Sequence, residues 1–298
     1  MNNDIFLDGN KNNELDLFAI LSLFWKKKVI LIISTATSII FTLIYLLFLP
    51  NQYDSNAVLA PTNQSDSMSS ILGSYSSLAG FAGVSLPSDS SNKSIEAIER
   101  LKSFDFFNNN ILPNIRLEHL YASKWNPEKN LLTYNTNFYS SIDGSWNLLP
   151  SSQESFEIFE EIFAISENKK TGFVTLSISH VSPYVAKNLL DLIIFEINES
   201  MREIDKKIAQ DAIDFLNNQA EITRYKELKD ATSKLLESQM QNLMMASISD
   251  GYIYKTINTP VANEKPSSPN KLLIIILGSL FGFALGIAII LFRFMQKN

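Results

Sequence analysis

The chain has no cysteine and only two histidines among its 298 residues. The first absence excludes a disulfide scaffold, a thiol nucleophile and thiolate metal ligands. The second leaves His119 and His180, neither inside a metal-ligand or triad pattern. No catalytic, cofactor-binding or metal-ligating residue is therefore expected, and no cofactor. Carboxylates are plentiful, but Glu157, Glu160 and Glu161 fall on the polar side of an amphipathic stretch, the ordinary place for solvated charge. A glycosidase pair is disfavoured on that ground. A net charge of -6 argues against nucleic acid as a partner. There is no Gly-x4-Gly-Lys-[Ser/Thr] run, so no phosphate-binding loop of that kind is expected.

Charge is also missing from two long stretches, Val29–Leu49 and Leu272–Phe292. Each is about 21 residues, which as a helix spans the roughly 30 Å of a bilayer's hydrocarbon core. A secretory signal is shorter and ends in small residues, whereas the first run closes with Leu46-Leu47-Phe48-Leu49-Pro50. Both runs therefore read as transmembrane helices. Orientation follows from the basic residues beside them. Lys26, Lys27 and Lys28 directly precede the first run, and its far side, Pro50-Asn51-Gln52-Tyr53, has no base; Lys265, Lys271, Arg293 and Lys297 leave the second run more balanced. The expected organisation is a cytoplasmic tail over 1–28, a first span over 29–49, an extracytoplasmic domain over 50–271, a second span over 272–292 and a cytoplasmic tail over 293–298.

Within the large segment, Tyr53 to Pro61 predicts a strand, and the Ser/Gly-rich Asn63 to Ser91 a flexible loop. Ile95, Ile98, Leu101 and Phe104 recur at threes and predict one apolar helix face. Residues 121 to 152 carry no assignable pattern. Ser155 to Ile165 predicts a second amphipathic helix, and Thr171 to Ser179 alternates as a strand does. Ser182-Pro183 supplies an N-cap and a proline at the first helical position. From there a narrow apolar stripe with charged flanks runs to Gly251, predicting a coiled-coil-like helix over about 183–250, or two shorter helices broken near Asn217-Asn218. The candidate oligomer seam on it is Ile204, Ile208, Phe215, Tyr225 and Leu228. Tyr252 to Asn258 predicts a returning strand, and Pro260, Pro266 and Pro269 a stiff connector over 260–271. In the second span Gly278, Gly282 and Gly286 stand four apart on one face, an array that admits close approach of another helix. That helix is the first span, a neighbouring subunit or another membrane protein. Leu15 to Trp25, ahead of the lysines, is apolar enough to lie in the cytoplasmic interface.

These segments together resemble the Wzz family of polysaccharide co-polymerases, the chain-length determinants of bacterial surface glycans. Leu15 to Lys28 resembles the family's cytoplasmic lead. Ile95 to Ile111, with Arg100-Leu101-Lys102-Ser103, is similar to its first extracytoplasmic helix, and Phe156 to Asn198 to its helix-strand-helix core. Pro260-Val261-Ala262 with Lys265-Pro266-Ser267-Ser268-Pro269-Asn270-Lys271 looks like its proline-rich segment. The resemblance implies an α+β extracytoplasmic domain with a long projecting helix, flanked by two transmembrane helices, and a homo-oligomeric ring. It implies residence in the bacterial inner membrane with the main domain periplasmic. It further implies a non-catalytic partner of a membrane polymerase, acting on lipid-linked glycan to set the modal length of O-antigen or a related polysaccharide. With no phosphate-binding loop before Asn298, the chain is expected among the kinase-less members. A structural or export adaptor is the alternative, and an enzyme comes third.

Overall fold

A computed structural model describes Trp25 and residues 27–62, 90–222, 226–248 and 251–296. The expected loop before residue 90, the interfacial helix ahead of Trp25, and Tyr225 lie outside the described residues. The chain divides into two compact units: Met1–Pro50 with Ser268–Asn298, and Asn51–Ser267. The first holds two apolar helices, α1 (Lys28–Phe48) and α8 (Lys271–Met295). Both are long and apolar enough to cross a membrane, and few of their residues are buried. Core helices of a soluble protein would hide their apolar side chains, and these do not.

The second unit, the body, is built on a four-stranded antiparallel sheet of order β6-β7-β1-β8. The strands are β1 (Tyr53–Pro61), β6 (Phe163–Glu167), β7 (Val174–His180) and β8 (Tyr254–Asn258). Alternation places Tyr53, Ser55, Ala57 and Leu59 of β1 on one buried face with Val174, Leu176, Ile178 and His180 of β7, as a sheet covered on one side requires. The register, Ala57 opposite Leu176 and Tyr53 opposite His180, brings the start of β1 and the end of β7 together. The cover is α6 (Pro183–Ile222), whose Ala186, Leu190, Ile193, Ile197 and Met201 are all buried. The helix begins at Pro183, and Ala186 N–H donates to Ser182 O at 3.0 Å, the first bond expected of a Ser-Pro start.

Around this lie α2 (Ser90–Leu101), α3 (Phe104–Phe106), a π-helical turn over Phe107–Ile111, a 3₁₀ turn over Leu112–Asn114, α4 (Leu117–Leu120) and α5 (Ser152–Ile162). Phe156, Phe107, Phe159 and Phe163 form a run of tilted ring contacts in that order, with centroids 5.5, 4.9 and 5.0 Å apart. Two expectations are corrected here, and one unassigned stretch gains its structure. Ile95 is exposed while Ala97, Ile98 and Leu101 are buried, because residues three apart drift 60° per step on a 3.6-residue helix. The second amphipathic helix stops at Ile162, and Phe163–Glu167 pairs with β7 as strand β6. Residues 121 to 152 hold two small hairpins, β2 (Ala122–Asn126) with β3 (Leu131–Tyr134), and β4 (Tyr139–Ser140) with β5 (Ser145–Trp146). A capping box on Ser151 and Glu154 then opens α5.

Of the two readings of 183–250, one helix or two, the structure has two, divided after Ile222 rather than near Asn217-Asn218. α6 ends at Ile222, about 60 Å from its start, and α7 (Lys226–Ile248) packs against it. Gly251, just past α7, lines a cavity with Asp191 and Asn198 of α6, so α7 returns along the helix that precedes it. Folding back buries Ala209 and Ile213, which a lone helix would leave in water. The fold class is otherwise as expected, an α+β body with a long helix and an apolar helix at each end.

Candidate functional site: the paired apolar helices and the return clamp

The three glycines of α8 face α1. A Cβ on Gly282 would stand 2.5 Å from Ser38 Cβ and 3.0 Å from Thr35 Cα; one on Gly278 would overlap the Thr42 hydroxyl, and one on Gly286 the Ser34 hydroxyl. The order is antiparallel, with Gly278 against Thr42 and Gly286 against Ser34. A Cβ on Gly286 would also meet Leu31 Cδ2 at 3.0 Å, but Ser34, Ser38 and Thr42 are small and repeat the four-residue spacing of the glycines. Two small-residue ridges thus let the backbones close up, which is what drives association between helices of equal apolarity. Ser34 and Thr35 donate to Leu31 O and Thr42 to Ser38 O, so those hydroxyls are satisfied within α1. Ser38 instead donates across the pair to Gly278 O at 2.7 Å. The serine and threonine ridge was legible in the sequence as a second small-xxx-small run.

In the body, the segment returning from α7 is clamped by buried polar groups. Asn198, within the apolar stripe of α6, donates to Ile194 O at 2.9 Å and accepts from Ile253 N–H at 2.8 Å and Tyr254 N–H at 3.0 Å. Tyr254 is fully buried, its hydroxyl donating to Ser94 O at 2.9 Å; burial pushes its pKa up to about 12. Tyr252 OH donates to Asp205 Oδ2 at 2.5 Å, and the same oxygen receives Lys93 Nζ at 2.5 Å. Neutral and charged donors therefore converge on α6 from α2 and from the return segment. Sequence periodicity missed these residues; the available signal was an asparagine four residues from Ile194, on the helix's apolar side.

Of the connector prolines, Pro260 is buried and Pro266 exposed, and Pro269, in the other unit, is half-buried. Asn263 Nδ2 donates to Asp54 O, and Ser267 N–H to Gln52 O at 2.9 Å. The connector is thus laid along the entry to β1. On the expected seam, Ile208 and Phe215 are exposed, Ile204 is half-buried, and Leu228 falls in the first turn of α7. Glu157, Glu160 and Glu161 are exposed. His180 is buried at the end of β7: its Nδ1 accepts from Ser182 N–H at 3.0 Å, and its Nε2 donates to His119 O at 2.9 Å. Those partners assign the Nε2–H tautomer, and burial lowers the pKa of both His180 and His119. His180 is a structural link between β7, α4 and the start of α6.

The family model "Chain length determinant protein" matches residues 13–111, and "G-rich domain on putative tyrosine kinase" matches residues 225–295, which include the three glycines. The second description qualifies the kinase-less expectation, since it names a segment found on putative tyrosine kinases. A search of curated proteins finds no match. Among solved structures, a full-length bacterial polysaccharide co-polymerase is similar at 16% identity and a TM-score of 0.43, over 95% of this chain and 99% of that one. A fragment of the polysaccharide co-polymerase WzzB from Salmonella Typhimurium is similar at 13% identity and a TM-score of 0.35, over 73% of this chain and 100% of the fragment. One matched segment leads into the body, where the chain is similar to the Wzz family of polysaccharide chain length determinants, and the other carries the glycine ridge of α8.

Proposed function

We propose that this chain sets the modal length of a surface polysaccharide, lipopolysaccharide O-antigen or a related glycan, as a homo-oligomeric and non-catalytic partner of a membrane polymerase. The match of the chain length determinant model to residues 13–111 carries the reading. In it, α1 and α8 cross the bacterial inner membrane, the lysines before α1 keep both tails in the cytoplasm, and the body lies in the periplasm near lipid-linked glycan.

The geometry supports a mechanical rather than a chemical role. The glycine ridge is spent on α1, so the two helices act as one unit, and the polymerase meets their outer faces. Gln52 and Ser267 are bonded to each other, so a shift of the body at that point is passed to both connections at once. The exposed Ile208 and Phe215 of α6, with Ile204, Tyr225 and Leu228, serve the contact between subunits. The test is a size ladder of surface polysaccharide from a deletion strain, with and without the complementing gene. Loss of the modal cluster at unchanged total glycan supports regulation. An unchanged length distribution with less glycan at the surface identifies an export adaptor, and accumulation of longer chains identifies a cleaving enzyme; either overturns the proposal.

A further inference from the structure

The two hairpins over residues 122–146 take no part in the sheet, the helix pair or the return clamp. Their composition is unusual for a surface insertion. Residues 121–150 hold six aromatic side chains, including two of the chain's three tryptophans, and their charges cancel: Lys124 and Lys129 against Glu128 and Asp143. The rings form a connected set, Tyr134 on Tyr139, Tyr139 on Trp146, Trp146 on Tyr121 and Tyr121 on Phe138, with centroids 5.0 to 5.6 Å apart. None of the six is buried. Aliphatic side chains stand further out: Leu131, Leu148 and Leu149 are each at least 59% exposed, and Ile142 is 93% exposed. Ile142 sits in the turn between β4 and β5, beside Gly144 at φ 63°. Turn tips in water are ordinarily Asn, Asp, Ser or Gly, and a β-branched aliphatic residue there gains nothing from water.

The position of the insertion says what the apolar tip meets. Trp125 of β2 packs edge-on against Tyr53 at 5.3 Å and lies 6.1 Å from Tyr184. Tyr53 opens β1, and the neighbouring Gln52 holds Ser267, so the insertion grows from the corner of the body where both connections to the apolar helices leave. Only four residues lie between Phe48, the last of α1, and Tyr53, five steps of at most about 3.6 Å each. Tyr and Trp are the side chains favoured at headgroup depth, where one end of the ring is apolar and the other wet.

We propose that residues 122–149 form a lipid-docking surface that enters the headgroup layer of the bilayer, with Ile142, Leu148 and Leu149 inserted and the Tyr/Trp set around them. This rests on the reading that α1 and α8 span a membrane. Because the insertion is neutral, docking is driven by apolar burial rather than attraction to anionic lipid, and it persists at high salt. A stack of half-exposed rings also suits a sugar face, which makes glycan the competing occupant.

The absence of cysteine permits a direct test. Ile142→Cys and, as a control on α6, Asn218→Cys are labelled with an environment-sensitive fluorophore. The full chain is then reconstituted in zwitterionic vesicles whose lipids carry a shallow spin-label quencher. The proposal expects most emission at position 142 to be lost, equally at low and high salt, with emission at 218 unaffected. Equal accessibility of both probes to the aqueous quencher iodide, with no lipid quenching at 142, overturns it. So does a probe at 142 that responds only to added purified polysaccharide, which assigns the surface to glycan. Flotation of the vesicles after alkaline washing reports separately on insertion of the helices, so a failure of the membrane reading is told apart from a failure of docking.

Discussion

At Asn198 an amide occupies a place where the α6 stripe would otherwise carry an aliphatic side chain, and three hydrogen bonds depend on it. Asn198→Leu fits the apolar surroundings but leaves the N–H groups of Ile253 and Tyr254 buried without this acceptor. At about 1–3 kcal/mol for each stranded donor, the purified protein should show a clear fall in thermal midpoint, and Asn198→Asp, which retains an acceptor, a smaller one. A midpoint unchanged in Asn198→Leu would show that the return segment is held by packing alone. His180 gives a second expectation. Burial makes the neutral ring the native form, so its pKa lies below the ordinary 6.5. A lowered histidine pKa contributes stability that is complete above the unfolded value and is lost as pH falls through the folded one. Melting midpoints should therefore drop as pH is lowered from 7 toward 5, with His119, also lowered by burial, adding in the same direction. His180→Gln should flatten that slope; an unaltered slope would place the titration elsewhere. Neither residue's role was legible in the sequence, because a buried polar contact depends on where the chain returns, and periodicity reports only which face is apolar.

The elements differ in how plainly the sequence announced them. Strand β1 and the Ser-Pro start of α6 follow from alternation and capping chemistry, and the structure has them where those rules put them. The division into α6 and α7 was an alternative in the sequence, with a break near Asn217-Asn218, and its place was not marked because the apolar stripe passes through residues 217–228 with no Gly or Pro to interrupt it. β6 was hidden because Phe156, Phe159 and Phe163 keep helical spacing into the strand. The hairpins of the insertion have strands of two to five residues and no buried face, so no alternation marks them. The α1 and α8 pair is the reverse case, with both ridges visible as four-residue repeats of small residues. What the sequence left open was the partner of the glycines, and the contact with Ser34, Ser38 and Thr42 answers that. The outward side of α6 carries a further expectation: Phe215→Asp places a charge on the proposed seam, at a cost of several kcal/mol if it stays desolvated. Light scattering in nanodiscs should show the wild-type chain well above dimer mass and the variant reduced. A wild-type monomer would remove the seam.

The whole molecule combines a body carrying two long packed helices with a tightly paired set of apolar helices. The central claim is that the glycine contact matters for glycan length rather than for insertion. The most direct measurement is the polysaccharide size ladder of a strain expressing Gly282→Leu at the wild-type protein level. Leucine suits lipid at least as well as glycine, so the variant should be present in the membrane in normal amount. Its side chain cannot share the space of Ser38 and Thr35, so the helices must part and lose the dispersion contacts between them. The account predicts short, unregulated chains in place of the modal cluster, with total surface glycan preserved. A wild-type modal cluster from that strain would contradict it.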